Sequence, residues 1–266
     1  MKIIAIVFFA LCALAAVVFV MSPGLAGQAV APAVTTKTQL IEDLVYGNRI
    51  LYNEGVVDAF GHISARDAQN PTRFYMSRSL APSQVTSQDI LEYDLDCNTV
   101  GAPVAVGYGE RFIHCGIYRA RPDVRAVVHA HSLSLIPFGV TKTSLRPVFH
   151  MAGFLGTATP IFDIRDVAGP TNMMVTTNQL GDALAKTLGD HPVVLMRGHG
   201  DTVVGDSVQQ AVVRAYYAEV NARLQGEAAR LGTITFLSSE EAAKAAESVP
   251  IQRAWEMFKT RIGKLE

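Results

Sequence analysis

The sequence predicts an α/β domain with helices flanking one sheet, and three features carry that expectation. Short β-branched runs such as "AVVHAHS" (126–132) and "HPVVLM" (191–196) are too brief for helices. Between them lie segments with apolar residues at helical spacing, the longest being "SVQQAVVRAYYAEVNARLQGEAARLG" (207–232). Composition agrees: 49% hydrophobic and 18% charged residues describe a chain with a sizeable core and no repeat or domain-scale linker. A formal net charge of −1 without a basic block gives no support for nucleic-acid binding.

The elements follow in order. One lysine, 19 apolar residues from Ile3 to Met21 and then small residues with a proline have the layout of an export signal over residues 1–27. The same run can span a bilayer, so an exported (periplasmic) or membrane-anchored protein is expected. Residues 28–36 read as a linker and 37–266 as the domain. Its first helix covers 36–57, ending near Gly55. "FGHISARD" (60–67) and "RFYMSRS" (73–79) read as strands joined by a turn, and "TSQDILEYDLD" (86–96) as a helix start followed by a strand. "GERFIHCGIYRARPDV" (109–124) reads as a helix stopping before Pro122. "PVFH" (147–150) and "ATPIFD" (158–163) are expected as strands, and "LSLIPFGV" (133–140) as helical. "NQLGDALAKTLGD" (178–190) is a helix closed by glycine. "HPVVLMRGHGDTVVGD" (191–206) reads as two buried strands around a Gly-His-Gly turn. Asp206 with Gln209 resembles a capping box opening the long helix. The tail from Leu237 to Glu266 is expected to be helical and carries the only tryptophan, Trp255.

Chemistry gathers at the histidines. On a strand, His129 and His131 project from one face, where two neutral imidazoles begin a site for a borderline metal such as zinc. His199, between Gly198 and Gly200 behind "VVLM", is left uncovered at a strand end. Glu110 and His114 are four apart, which on a helix puts both on one face. His62 follows Gly61 in an expected tight turn. Of the three cysteines, Cys97 and Cys115 could oxidise in an exported protein, although nothing in the sequence pairs them.

Taken together, Glu110, His114, His129, His131 and the Gly-His-Gly at 198–200 resemble the class II aldolase/adducin family, over roughly Gln39 to Arg230. The resemblance implies a three-layer α/β/α domain with a mainly antiparallel central sheet, and a homotetramer with active sites between subunits. It also implies a divalent metal, Zn2+ or Mn2+ or another ion, held by His129, His131 and His199, with Glu110 as acid/base and as a further ligand. Where the sugar-phosphate aldolases of the family keep a serine pair and an asparagine for substrate phosphate, this chain has Tyr108-Gly109 and His62. "VVDAFGHIS", "SRSLAPS", "ERFIH", "FHMAGFLG" and "VLMRGHGDTVVGDS" resemble instead the branch of decarboxylases acting on carboxylated muconic semialdehydes and dihydroxyphthalates. Cys115 and the N-terminal segment depart from that pattern.

The resemblance implies decarboxylation of a small carboxylic acid. Decarboxylation and retro-aldol cleavage both leave an electron pair that must rest in an enolate, which a Lewis acid stabilises. Glu110, His62 and Tyr216 (of the pair Tyr216-Tyr217) are the candidate proton donors. Arg78 is a candidate clamp for a substrate carboxylate, and Ser64 a second candidate contact. The alternatives are an aldolase or epimerase acting on a non-phosphorylated sugar or hydroxy acid, and a non-catalytic binding module of the adducin type.

Overall fold

Among the described residues, seven short strands, each too narrow to be stable alone, pair edge to edge in one sheet. The computed structural model describes residues 35–101 and 106–265. The expected export segment at 1–27 and the linker as far as residue 34 lie outside the described residues.

The strands are β1 (His62–Arg66), β2 (Arg73–Ser77), β3 (Ile90–Asp94), β4 (Ala126–Ala130), β5 (Ile161–Phe162), β6 (Val193–Met196) and β7 (Gly200–Gly205). They lie in the order β3-β2-β1-β4-β7-β6-β5. Every neighbouring pair is antiparallel except β5 with β6. The mainly antiparallel sheet is therefore as expected.

Strand alternation divides the core in two. Ile63, Ala65, Val128, Leu195 and Val203 face one layer, together with residues of α1 (Lys37–Asn53), α6 (Val208–Leu231) and α8 (Ile251–Ile262). Val127, Val194, Met196 and Val204 face the other, with α2 (Arg111–Ala120) and α5 (Asn178–Leu188). Three layers result. Trp255 and Phe258 anchor α8: both are buried, Trp255 edge-on to Tyr46 and Phe258 edge-on to Tyr216. Burying an aromatic side chain of this size contributes about 1.5–3 kcal/mol.

Several expectations shift. The cap of α6 is Ser207, whose hydroxyl accepts from the Gln210 backbone N–H, one residue later than Asp206 with Gln209. "PVFH" forms no strand. Its last residue opens a 3-10 turn, His150–Leu155, while Val148 donates its N–H to the Asn221 side chain and not to a strand. The expected helix at 133–140 narrows to the single turn α3 (Ile136–Gly139), and a further turn, α4 (Arg165–Ala168), follows β5. The tail is two helices, α7 (Ser239–Ser248) and α8, because Pro250 disfavours helical backbone at Val249. Among the described residues no helix is long and apolar enough to cross a membrane.

Cys97 and Cys115 are joined by a disulfide, with Cα atoms 5.8 Å apart. The turn after β3 folds back on α2, a proximity that spacing along the chain does not reveal.

Candidate metal centre and cavity

The centre of the sheet sets the site. His62 of β1 stands opposite His129 of β4 in register, and His129 opposite Thr202 of β7. His131 follows β4, and His199 precedes β7 at the end of the turn from β6. Two glycines make that turn possible. Gly198 has φ of 63°, a backbone state that favours glycine. At Gly200 a Cβ would lie 2.0 Å from the Ala130 carbonyl oxygen, so the close approach of β7 to β4 requires its absence.

Ligand-type atoms of Glu110, His129, His131 and His199 lie within 4.8 Å of one another. Glu110 Oε2 is 3.7 Å from His129 Nε2 and 3.4 Å from His199 Nε2. Its Oε1 accepts from the Val175 backbone N–H at 2.8 Å. Burial opposes charge on Glu110, yet the neighbouring His129 and His199 imidazoles outweigh it and hold the carboxyl well below its usual range. Burial first, then the neighbouring imidazoles, push His131 down to about 4.

Backbone carbonyls orient two of the rings. His129 Nδ1 is 2.9 Å from the Asp201 carbonyl and His199 Nδ1 is 3.0 Å from the Met173 carbonyl. A carbonyl only accepts, so both rings carry their proton on Nδ1 and turn an Nε2 lone pair inward. His129 Nε2 is buried without a hydrogen-bond partner among the described residues. An orphaned lone pair beside two more imidazoles and a carboxylate is a donor set that could hold a divalent cation.

A cavity of about 830 Å3 opens over this cluster. Its lining includes Phe60, His62, Leu80, Tyr108, Glu110 and Met174. The ring of Tyr108 lies 4.4 Å from that of His62, and its hydroxyl donates to the Leu80 carbonyl. Mostly apolar walls above a polar floor are the usual make-up of a small-molecule pocket.

The remaining expected residues lie elsewhere. Arg78 is not in the cavity lining, because its guanidinium pairs with Asp89 at 2.7 Å. Tyr216 packs against Tyr217 and Phe258 beside the core, away from the cavity. Ser64 is fully buried beneath the cavity, bonded to His114 and Tyr118. Glu110 and His114 do not act as a pair on one helix face: Glu110 is the residue before α2, and His114 bonds to His62 at 2.7 Å. Sequence reasoning missed Met173, whose backbone carbonyl orients His199, since a main-chain contact leaves no residue-type signal.

Residues 42–226 match the family model described as the class II aldolase and adducin N-terminal domain. The chain belongs to this family. Decarboxylase tropJ of Talaromyces stipitatus is 37% identical over 217 residues, covering 77% of this chain and 79% of that protein. The 3,4-dihydroxyphthalate decarboxylase of Arthrobacter keyseri is 32% identical over 197 residues, covering 69% and 76%. These relatives set the chain in the decarboxylase branch of the class II aldolases, as a lyase. Among solved structures, an L-fuculose 1-phosphate aldolase superposes with a TM-score of 0.69 at 19% identity, covering 81% of this chain and 98% of that one. At that identity the likeness is one of fold alone.

Proposed function

We propose that this class II aldolase family member is a divalent-metal-dependent decarboxylase. Its substrate would be a dihydroxy aromatic acid or a carboxylated 2-hydroxy-dienoate semialdehyde. The observation carrying the reading is the convergence of His129, His131, His199 and Glu110, of which His129, His131 and Glu110 line an apolar cavity. The names of the relatives from Talaromyces and Arthrobacter support the reaction class, and the second supports an aromatic diacid.

A divalent cation, when bound, supplies Lewis-acid stabilisation of negative charge on a substrate oxygen. In decarboxylation the bond to the carboxyl carbon breaks, its electron pair stays on the retained carbon skeleton, carbon dioxide leaves, and a proton is added at the vacated carbon. Glu110 lines the cavity and is anchored by the Val175 N–H, so it is placed to carry that proton between water and substrate. Phe60, Leu80 and Met174 exclude water and offer apolar surface to a planar substrate.

Two wider readings accompany this one. Phe60, which lines the cavity, has 64% of its surface exposed, and Leu133, two residues after His131 in the chain, has 81%; apolar side chains so uncovered support a homotetramer with active sites between subunits. The disulfide between Cys97 and Cys115 supports export to an oxidising compartment.

The test is product analysis with 3,4-dihydroxyphthalate and with 3-carboxylated 2-hydroxymuconic semialdehyde. Release of carbon dioxide from either supports the reading. An aldehyde product from a hydroxy acid or free sugar, without gas from these acids, would move the protein to aldol chemistry.

A further inference from the structure

A second constellation lies beneath the cavity, on the sheet face that carries His129. His62 Nδ1 is 2.7 Å from His114 Nε2, His114 Nδ1 is 2.6 Å from Ser64 Oγ, and Ser64 Oγ is 2.8 Å from the Tyr118 hydroxyl. All four side chains are buried, none more than 3% exposed. His62 alone reaches the cavity.

Counting hydrogens along this chain settles its direction. Among the described residues the Tyr118 hydroxyl has no other partner than Ser64, and it owns one hydrogen. Used on Ser64, that hydrogen leaves the serine hydroxyl to donate to His114 Nδ1. His114 then carries its proton on Nε2 and donates to His62 Nδ1. His62 therefore keeps its own proton on Nε2. In the reverse direction the Tyr118 hydrogen is left buried without an acceptor, which forfeits its full solvation. If Ser64 accepts from both sides, its own hydrogen is orphaned instead. A cationic His62 or His114 fails the same count, because each would force an N–H onto Ser64.

We propose that Tyr118, Ser64 and His114 are positioning residues that hold His62 in its Nε2–H form, so that the cavity presents a fixed, neutral donor to an anionic oxygen of the substrate. His62 is thus a binding group and not the source of the proton delivered to carbon. To give up its Nε2 proton it would have to draw one through His114 and Ser64 from Tyr118. That would leave a phenolate in a site where burial already pushes the phenol well above its ordinary range. A neutral imidazole needs no such transfer to stabilise charge by hydrogen bonding. The ring lies 5.1 Å from that of His129, beside the metal cluster, so the oxygen it meets belongs to the carboxylate or the oxygen next to the reacting carbon.

This role rests on the decarboxylase reading, while the tautomer does not, and the experiment separates them. Nitrogen-15 spectra of the zinc-loaded protein resolve the tautomer of each of its seven histidines, with His62 assigned by His62→Gln. The expected result is Nε2–H for His62 and for His114, with Tyr118→Phe giving mixed tautomers at both. Nδ1–H or a doubly protonated His62 in the unchanged protein would overturn the proposal. With 3,4-dihydroxyphthalate as probe, His62→Gln, which keeps an N–H donor, should retain kcat within about tenfold. His62→Ala should lose about 10²–10³-fold. Equal loss in both variants would overturn the donor role. Failure of the decarboxylase reading shows separately, as no turnover by the unchanged protein.

Discussion

His131 Nε2 and His199 Nε2 face each other at 3.1 Å, and the Met173 carbonyl has already claimed the Nδ1 proton of His199. His199 thus brings a lone pair to that contact. A second imidazole lone pair at this distance repels it unless a proton or a cation lies between them. His129 adds another inward lone pair and Glu110 a carboxylate. The four groups relieve one another's repulsion best around a shared positive ion.

Metal content follows from that relationship. The protein lacking residues 1–27 should bind close to one divalent ion per chain, measured by elemental analysis after dialysis. His129→Ala should lose most of it, because His129 offers a buried Nε2 that nothing else among the described residues satisfies. Full occupancy in this variant would mean that the ion sits elsewhere.

Glu110→Gln separates binding from proton movement. Three imidazoles remain, so the ion should be retained at somewhat lower affinity, while kcat should fall by about 10²–10⁴-fold. An unchanged kcat would remove Glu110 from the proton path.

Arg78 offers a test in the other direction. Its pairing with Asp89 draws the guanidinium away from the cavity, so Arg78→Ala should leave KM within about twofold. A partly exposed pair of this kind is worth about 1 kcal/mol, and stability should change little. A large rise in KM would restore the carboxylate clamp that residue type alone suggests.

The Cys97–Cys115 bond predicts a redox-dependent stability. Its partners are 18 residues apart, and opening a loop of this size costs about 3 kcal/mol by the chain-entropy relation. Urea unfolding with and without reductant reads the difference. Alkylation of the denatured, unreduced protein lacking residues 1–27 should add no label, since the third cysteine, Cys12, is in the removed segment.

Gly200→Ala probes the approach of two strands. Its Cβ would meet the Ala130 carbonyl at 2.0 Å and His131 Cα at 3.0 Å. Overpacking of this sort costs about 1–3 kcal/mol. Because the clash pushes His131 away from His199, metal occupancy should fall with it. Normal occupancy at normal stability would show that β4 and β7 tolerate a wider gap.

The sequence showed those parts of the fold that local periodicity controls. β4, the β6–β7 hairpin and α6 are each written in contiguous patterns of apolar residues. "PVFH" has strand composition but no strand partner, so tertiary placement overrode propensity. Ser207 and Asp206 are both good caps, and backbone geometry chose between them. In the site, His129, His131, His199 and Glu110 were legible because the family motif fixes their spacing. His114 misled, since its helical offset from Glu110 says nothing of His62 on the neighbouring strand. Ser64 and Tyr118 act through the same cross-element contacts, and such contacts leave no trace in spacing.

The most direct test follows 13CO2 released from carboxyl-labelled 3,4-dihydroxyphthalate by the protein as purified, after chelation, and after reloading with zinc or manganese. Gas release that chelation abolishes and a divalent ion restores is the expected result. Release that persists undiminished in metal-free protein would contradict a metal-dependent decarboxylase.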